Sequence, residues 1–374
     1  MLDEGILKTE ERAAITLRTL YSRYGYQPYK MSKFEEYDLY ARNKDFLVSD
    51  SVITFTNLDG RLMALKPDVT MSIIKNTDVA AGDVRKFYYN ENVYRVSDET
   101  HQYKEILQTG LECMGEIDFF NLCEVLRLAV ESLRSLSGEF VLEISHMGIL
   151  SGLLNSADVD KAFIEQVSAL IADKNAHEIP RVCEQFDVPQ ALCDKLVRFV
   201  GVYGSRDKVL AELETLCEGE EMEAALQQLK DLSAELDGWK DASRIRFDFS
   251  LVNDMRYYDG IVFQGYVENI PDVILTGGQY DRLMKRMGRK SGAIGFALYL
   301  DLLDSFLSER TTYDVDIIML YDDDADLTLL NEMVSTYIKK GLTVSVQKQA
   351  PEKMSCRQLV RFNNKGVEIL ETND

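Results

Sequence analysis

The sequence predicts an α+β fold, in which an antiparallel sheet is flanked by helices. Three observations lead to this class. After an amphipathic helical start, apolar residues alternate with a period of two, which is typical of antiparallel strands. Residues 151–240 have a helical pattern that is poor in strand signals. Strands and helices alternate in the tail, and this order favours a small parallel α/β unit.

The first part of the chain predicts a helix followed mainly by paired strands. Apolar residues from Ala13 to Tyr24 follow helical spacing, with Thr9 as a candidate cap and Gly25 after the last turn. A turn at 57–60 separates the two strands of a hairpin. The predicted segments are strands 52–56 and 61–65, strands 85–96 and 106–114, a helix over 122–136 and a strand over 140–145.

The second part combines an acidic helical stretch with further strands. Residues 151–240 carry 18 acidic and 9 basic side chains, and we interpret this stretch as an inserted helical domain. The segments predicted after it are strands 244–250 and 260–267, a helix from about residue 280 behind the glycine pair 277–278, and a buried strand-to-helix passage over 293–306.

The tail, from about residue 313, predicts strands in alternation with helices. The predicted segments are strands 316–320, 342–346 and 367–370, and helices 328–340 and 358–364. The predicted domains are therefore a core over residues 1–310, interrupted by the insertion 151–240, and a small α/β domain over residues 311–374.

Composition excludes several classes of function. The net charge of −21 disfavours a broad nucleic-acid surface, because phosphate backbones require clustered Lys and Arg. The longest apolar run, residues 293–300, is too short to span a bilayer, and no signal peptide is recognisable. The six cysteines lack zinc-site spacing, and no phosphate-binding glycine loop is present. We expect a cytoplasmic protein with reduced thiols, no metal and no cofactor.

Polar residues are distributed over several of the predicted strands. Gln108 and Glu112 differ by four, so both side chains point to the same face of a strand, with Gly110 between them. This spacing indicates a small polar trough. The alternative is the exposed face of a half-solvated strand.

Five ordered segments resemble those of histidyl-tRNA synthetases, a family of class II aminoacyl-tRNA synthetases. The segments are Lys66-Pro-Asp-Val-Thr70, Arg85 to Glu112, Leu251 to Phe263, Gly277-Gly-Gln-Tyr-Asp281 and Gly295-Phe-Ala297. The match runs in order over about residues 5–310, and the tail resembles a shortened anticodon-binding domain. The resemblance implies a class II synthetase-like antiparallel sheet flanked by helices.

The nucleotide-binding residues of that family are largely replaced. Its motif 3 arginine falls at Leu302, which cannot balance triphosphate charge. Its adenine-stacking aromatic falls at Ile106, and the acid after the motif 2 arginine falls at Ser97. The arginine of the histidine-specific loop falls at Asn253. These changes disfavour adenylation. The motif 1 proline of the family, which bears on its dimer interface, falls at Ser32.

The resemblance implies that the histidine-binding side is largely retained. Asp68 and Thr70 would accept hydrogen bonds from the ligand ammonium, and Arg95 would face its carboxylate. The alternative is a relic pocket that packs and binds nothing. The candidate histidine-binding residues are Asp68, Thr70, Arg95, Gln108, Glu112, Tyr257, Tyr258 and Tyr280.

A synthetase-like fold with an amino-acid pocket but without nucleotide machinery resembles the regulatory subunits of ATP phosphoribosyltransferase. This resemblance implies a noncatalytic subunit that partners a short-form catalytic subunit in the first step of histidine biosynthesis. It also implies a homodimer within a hetero-octamer, feedback by L-histidine and no tRNA or membrane partner. The alternatives are a histidyl-tRNA synthetase and a stand-alone histidine-sensing paralogue.

Overall fold

The structure is a computed structural model that describes residues 7–47, 52–97, 100–156, 159–252, 257–303, 313–363 and 365–373. The chain forms two compact units, Met1–Ser308 and Glu309–Asp374. No helix of the described residues is both long enough and apolar enough to cross a membrane.

The described part of the first unit contains eleven α-helices and twelve strands. Its helices are α1 (Thr9–Arg23), α2 (Tyr37–Ala41), α3 (Thr70–Asn76), α4 (Phe119–Leu136), α5 (Met147–Asn155), α6 (Lys161–Ala172), α7 (Ile179–Gln185), α8 (Gln190–Phe199), α9 (Arg206–Leu216), α10 (Glu220–Leu236) and α11 (Asp281–Arg286). Its strands are β1 (Gln27–Pro28), β2 (Phe34–Glu36), β3 (Thr54–Thr56), β4 (Leu62–Leu65), β5 (Val84–Val96), β6 (Tyr103–Gly115), β7 (Phe140–His146), β8 (Tyr203–Gly204), β9 (Ile245–Asp248), β10 (Ile261–Val267), β11 (Leu275–Gln279) and β12 (Gly292–Tyr299).

A nine-stranded sheet forms the centre of the first unit, and its middle strands are antiparallel. Its order is β1-β5-β6-β12-β11-β10-β7-β9-β8, and a separate small sheet has the order β2-β4-β3. The predicted pair of long strands is confirmed, because β5 and β6 pair over their full lengths from Val84↔Gly115 to Val96↔Tyr103. Helices flank this largely antiparallel sheet, so the predicted α+β class is confirmed.

Two local predictions in this unit were incomplete. The predicted cap Thr9 is instead the first helical residue of α1, because Lys8 is the N-cap and its backbone N–H donates to Glu11 at 2.9 Å. The strand β11 was not predicted; the sequence indicated only that the glycine pair 277–278 precedes a helix. Gly277 and Gly278 both pair with β12.

The stretch over residues 151–240 is mainly helical, as predicted, and contains most of α5 together with α6 to α10. Its buried apolar side chains form one continuous cluster with those of the central sheet. Helix α10 approaches α5 closely at Gly152, where a Cβ would lie 2.3 Å from Met222 Cγ. The prediction that this stretch is a domain of its own stays a prediction.

The second unit is a four-stranded sheet with one described α-helix. Its elements are β13 (Val315–Leu320), α12 (Leu327–Lys339), β14 (Val344–Gln347), β15 (Cys356–Asn363) and β16 (Gly366–Thr372). The strand order is β14-β13-β15-β16, with β13 parallel to both neighbours and β15 antiparallel to β16.

The helix predicted over 358–364 is wrong, because this segment is part of β15. Val360 and Phe362 are buried while Arg361 between them is exposed, which is the period of a strand. Pairing with β13 on one side and β16 on the other satisfies the backbone of this segment.

Candidate functional site

One cavity of about 140 Å³ lies over the central sheet, and all eight candidate residues line it. Segments that are distant in sequence meet there because β6 and β12 are neighbours in the sheet and the start of α3 lies close to β6. The lining residues predicted from the sequence are Asp68 and Thr70 at the start of α3, Arg95 on β5, Gln108 and Glu112 on β6, Tyr257 and Tyr258 before β10, and Tyr280 before α11.

The Gln108–Glu112 face of β6 is buried, so the alternative of a half-solvated strand is wrong. Gln108 is 3% exposed and Glu112 is 2% exposed. Between them, Gly110 leaves room for the Tyr89 side chain of β5, since a Cβ at Gly110 would lie 2.5 Å from the Tyr89 hydroxyl. The predicted trough is therefore real, but an aromatic residue of the neighbouring strand fills its centre.

Glu112 is a buried carboxyl at the deep end of the cavity. Thr70 Oγ1 donates a hydrogen bond to it at 2.5 Å, and the Tyr280 hydroxyl donates a second one. Burial raises the pKa of Glu112 to about 8, although the two hydrogen bonds lower it, and the charge of Asp68 raises it further. On β12, Gly295 makes this position possible, because a Cβ there would lie 1.8 Å from Glu112 Oε2.

Asp68 and Arg95 supply the remaining charges of the cavity lining. Asp68 Oδ1 accepts a hydrogen bond from the Met71 backbone N–H at 2.9 Å, in the first turn of α3. Burial raises the pKa of Asp68, while that hydrogen bond and the Arg95 guanidinium lower it. Arg95 Nε donates to the Pro67 carbonyl at 3.2 Å. Two carboxyl groups thus share the described lining with one guanidinium.

Three tyrosines form an aromatic wall beside these charges. The rings of Tyr257 and Tyr258 have centroids 4.8 Å apart, and those of Tyr257 and Tyr280 are 5.8 Å apart. Gly278 permits the close approach of Tyr258, since a Cβ at Gly278 would lie 2.7 Å from its Cδ1. All three rings line the cavity, whereas Gly278 supports this wall without lining the cavity itself.

Six further residues line the cavity that were not among the predicted candidates. Tyr89, Thr276 and Tyr299 contribute hydroxyl groups, whereas Gly295, Phe296 and Ala297 contribute no polar side chain. Tyr89 and Tyr299 belong to segments that resemble family motifs or follow one directly, so their position was available as a signal. Their orientation towards the cavity depends on strand register, which the sequence does not show.

Two of the residues that replace nucleotide-binding groups are apolar. Leu302 packs against the core of the first unit, and Ile106 packs against the cluster around Tyr280. Asn253, which stands at the position of the loop arginine, lies outside the described residues.

Comparisons with known proteins show which family the chain belongs to. A family model described as histidyl-tRNA synthetase matches residues 3–303. A curated protein named ATP phosphoribosyltransferase regulatory subunit, from Oceanobacillus iheyensis, is 30% identical over 75% of this chain and 69% of its own length. The chain belongs to the ATP phosphoribosyltransferase regulatory subunit family. A relative with the same name from Bacillus mycoides is 26% identical over 79% of this chain and 71% of its own length.

Solved structures confirm the class II synthetase-like fold of this regulatory-subunit family member. The crystal structure of an ATP phosphoribosyltransferase regulatory subunit/histidyl-tRNA synthetase from Bacillus halodurans has a TM-score of 0.77 at 21% identity, covering 94% of this chain and 93% of that chain. A histidyl-tRNA synthetase from Nostoc has a TM-score of 0.69 at 19% identity, covering 94% and 87%. A chain of the ATP phosphoribosyl transferase (HisG:HisZ) complex from Thermotoga maritima has a TM-score of 0.61 at 19% identity, covering 80% and 97%.

Proposed function

We propose that the chain is the noncatalytic regulatory subunit of a cytoplasmic ATP phosphoribosyltransferase, that it assembles with a short-form catalytic subunit, and that its cavity binds L-histidine. Within this assembly the chain would form a homodimer as part of a hetero-octamer, without tRNA. Membership of the regulatory subunit family supports the role. The observation that carries the ligand is the charge arrangement of the cavity, with Asp68 and Glu112 near Thr70 and with Arg95 as the described cation of the lining.

A free amino acid matches this arrangement. Its ammonium group is complementary to the buried carboxyl groups, and its carboxylate is complementary to the Arg95 guanidinium. An imidazole ring can both donate and accept hydrogen bonds, so Glu112 and Tyr258 suit its two nitrogen atoms. Burial disfavours the ionised form of Glu112 and raises its pKa to about 8. A ligand cation beside this carboxyl group stabilises the ionised form and compensates for the lost solvation.

Feedback by histidine requires that the ligand bind two states of the complex with different affinities. A ligand with equal affinity for both states would not shift the equilibrium between them, however tightly it binds. Histidine binding would change the activity of the catalytic subunit if that subunit favoured one of two arrangements of the residues that line the cavity.

The decisive experiment mixes the chain with a short-form catalytic subunit from the same source. We expect co-elution and a rise in phosphoribosyl transfer, followed by inhibition when L-histidine is added. Glu112→Gln is expected to retain assembly and to lose histidine inhibition. The matched control is Glu221→Gln in α10, where the side chain is exposed, and it should behave as the wild type does. Failure both to co-elute and to change the transfer rate would contradict the regulatory role.

The synthetase-like fold makes histidyl-tRNA synthetase activity the second candidate function. Leu302 and Ile106 replace the groups that would hold ATP, so we expect no histidine-dependent pyrophosphate exchange. Measurable exchange would favour the synthetase. Histidine binding without any effect on a catalytic subunit would instead favour a stand-alone sensor.

A further inference from the structure

Strand β12 presents side chains of increasing size to the cavity. Gly295, Ala297 and Tyr299 alternate along the strand, and all three line the cavity. Gly295 lies opposite Glu112, whereas Tyr299 lies opposite Gln108, four residues further along the ladder. Because a strand rises about 3.3 Å per residue, these two levels lie roughly 13 Å apart. The cavity therefore has a glycine end, where the Glu112 carboxyl occupies the space beside Gly295, and a bulky tyrosine end.

The Tyr299 side chain leans across the sheet towards β11. Its hydroxyl lies 3.2 Å from Thr276 Oγ1. Thr276 is directly opposite Ala297, two residues before Tyr299, so the contact is a diagonal one that only a long side chain can make.

Arg95 lies near the same end of the cavity. It pairs with Lys104 across the β5–β6 ladder. On β6, Lys104 lies beyond Gln108 on the side away from Glu112, and Gln108 is opposite Tyr299, which places Arg95 at the tyrosine end. Because Arg95 is the cation of the described lining, the carboxylate of an amino-acid ligand would lie at this end.

We infer that Tyr299, held by Thr276, restricts the cavity to free amino acids and excludes ligands that are extended at the carboxyl group, such as peptides, esters and aminoacyl adenylates. The inference rests on the proposed binding of histidine and specifies the class of ligand. An extension beyond the carboxyl carbon meets the phenol ring, and a steric clash of this kind rejects a competing ligand without weakening the preferred one.

The test compares L-histidine with histidylglycine by calorimetry on the full chain. The dipeptide keeps the ammonium, the imidazole and a terminal carboxylate, and differs in length. We expect the wild type to bind histidine at least about tenfold more tightly than the dipeptide. Tyr299→Ala should reduce this preference by about tenfold, whereas Tyr299→Phe should retain it because the ring remains. Tyr299→Leu provides the same comparison if the alanine variant does not fold.

The matched control is Tyr266→Ala on β10. Tyr266 is also partly buried, its hydroxyl donates to Gln264, and it does not line the cavity. Its removal should leave the ligand preference unchanged, and thermal unfolding by circular dichroism checks the fold of each variant. Equal affinity of the wild type for both ligands, or an unchanged preference in a folded Tyr299→Ala variant, overturns the inference alone. A wild type that binds neither ligand overturns the proposed histidine site and this inference with it.

Discussion

The two ends of the cavity differ in how their charged groups are supported. At the deep end, Glu112 accepts hydrogen bonds from Thr70 and Tyr280 and is almost fully buried. At the other end, Arg95 donates to a backbone carbonyl, and the chain nearby carries the apolar Ile106. The deep end is preorganised for a cation, whereas at the other end Arg95 is the one cationic side chain of the described lining. The difference favours recognition of an amino acid over its activation.

The largest expected effect comes from the deep end. Glu112→Gln keeps the shape of the side chain but removes the charge that a ligand cation would meet. We expect histidine affinity to fall by about 100-fold, the upper range for losing a charged hydrogen-bond partner. Calorimetry measures the loss, with Glu221→Gln as the control. Unchanged affinity would remove Glu112 from the binding site.

A second prediction concerns the glycine opposite Glu112. Gly295→Ala would place a Cβ 1.8 Å from Glu112 Oε2 and 2.5 Å from the Leu111 carbonyl oxygen. We expect the free energy of unfolding to fall by about 1–3 kcal/mol and histidine binding to weaken, because an overpacked core must shift. Gly138→Ala is the matched control, since no atom lies within 4 Å of its added Cβ. Equal stability of the two variants in urea would mean that the Glu112 carboxyl can move without cost.

A third prediction follows from the raised pKa of Glu112. Its pKa rises from 4.5 in the unfolded chain to about 8 in the fold, so its contribution to stability is fully present below pH 4.5 and is lost as the pH rises towards 8. Within this window, the wild type should lose up to about 1.4 kcal/mol per pH unit relative to Glu112→Gln. Urea unfolding of both proteins at pH 5 and pH 8 measures this difference. If the difference in free energy of unfolding between the two proteins does not change with pH, the raised pKa is contradicted.

The smallest expected effect lies at the Arg95 end. Arg95 is only partly buried, so solvent screens its charge. We therefore expect it to contribute less to histidine binding than Glu112 does. Arg95→Gln should weaken histidine binding by about tenfold, with little change in stability. Histamine, which lacks the carboxylate and adds no atoms in its place, should bind both proteins alike. A larger loss for Arg95→Gln than for Glu112→Gln would reverse the order of the two ends.

Predictions from the sequence were most accurate where periodicity is strong or where family motifs supplied residues. The long pair β5 and β6 and the helices α1 and α4 follow from local pattern alone. The failures are equally local: β11, which contains two glycines, was not predicted, and a helix was predicted over 358–364 where the structure has β15. In both segments, pairing with neighbouring strands decides the conformation, and no short window of sequence contains those partners.

The sequence by itself determined the α+β class, the family resemblance and the eight candidate residues, because each depends on residue types in a fixed order. Only the tertiary structure decided that these residues share one buried cavity. It also decided that Tyr89 fills the centre of the trough and that Tyr299 closes one end. The physical reason is register: the alignment of β5, β6, β11 and β12 determines which side chains meet, and that alignment depends on contacts between strands far apart in the chain.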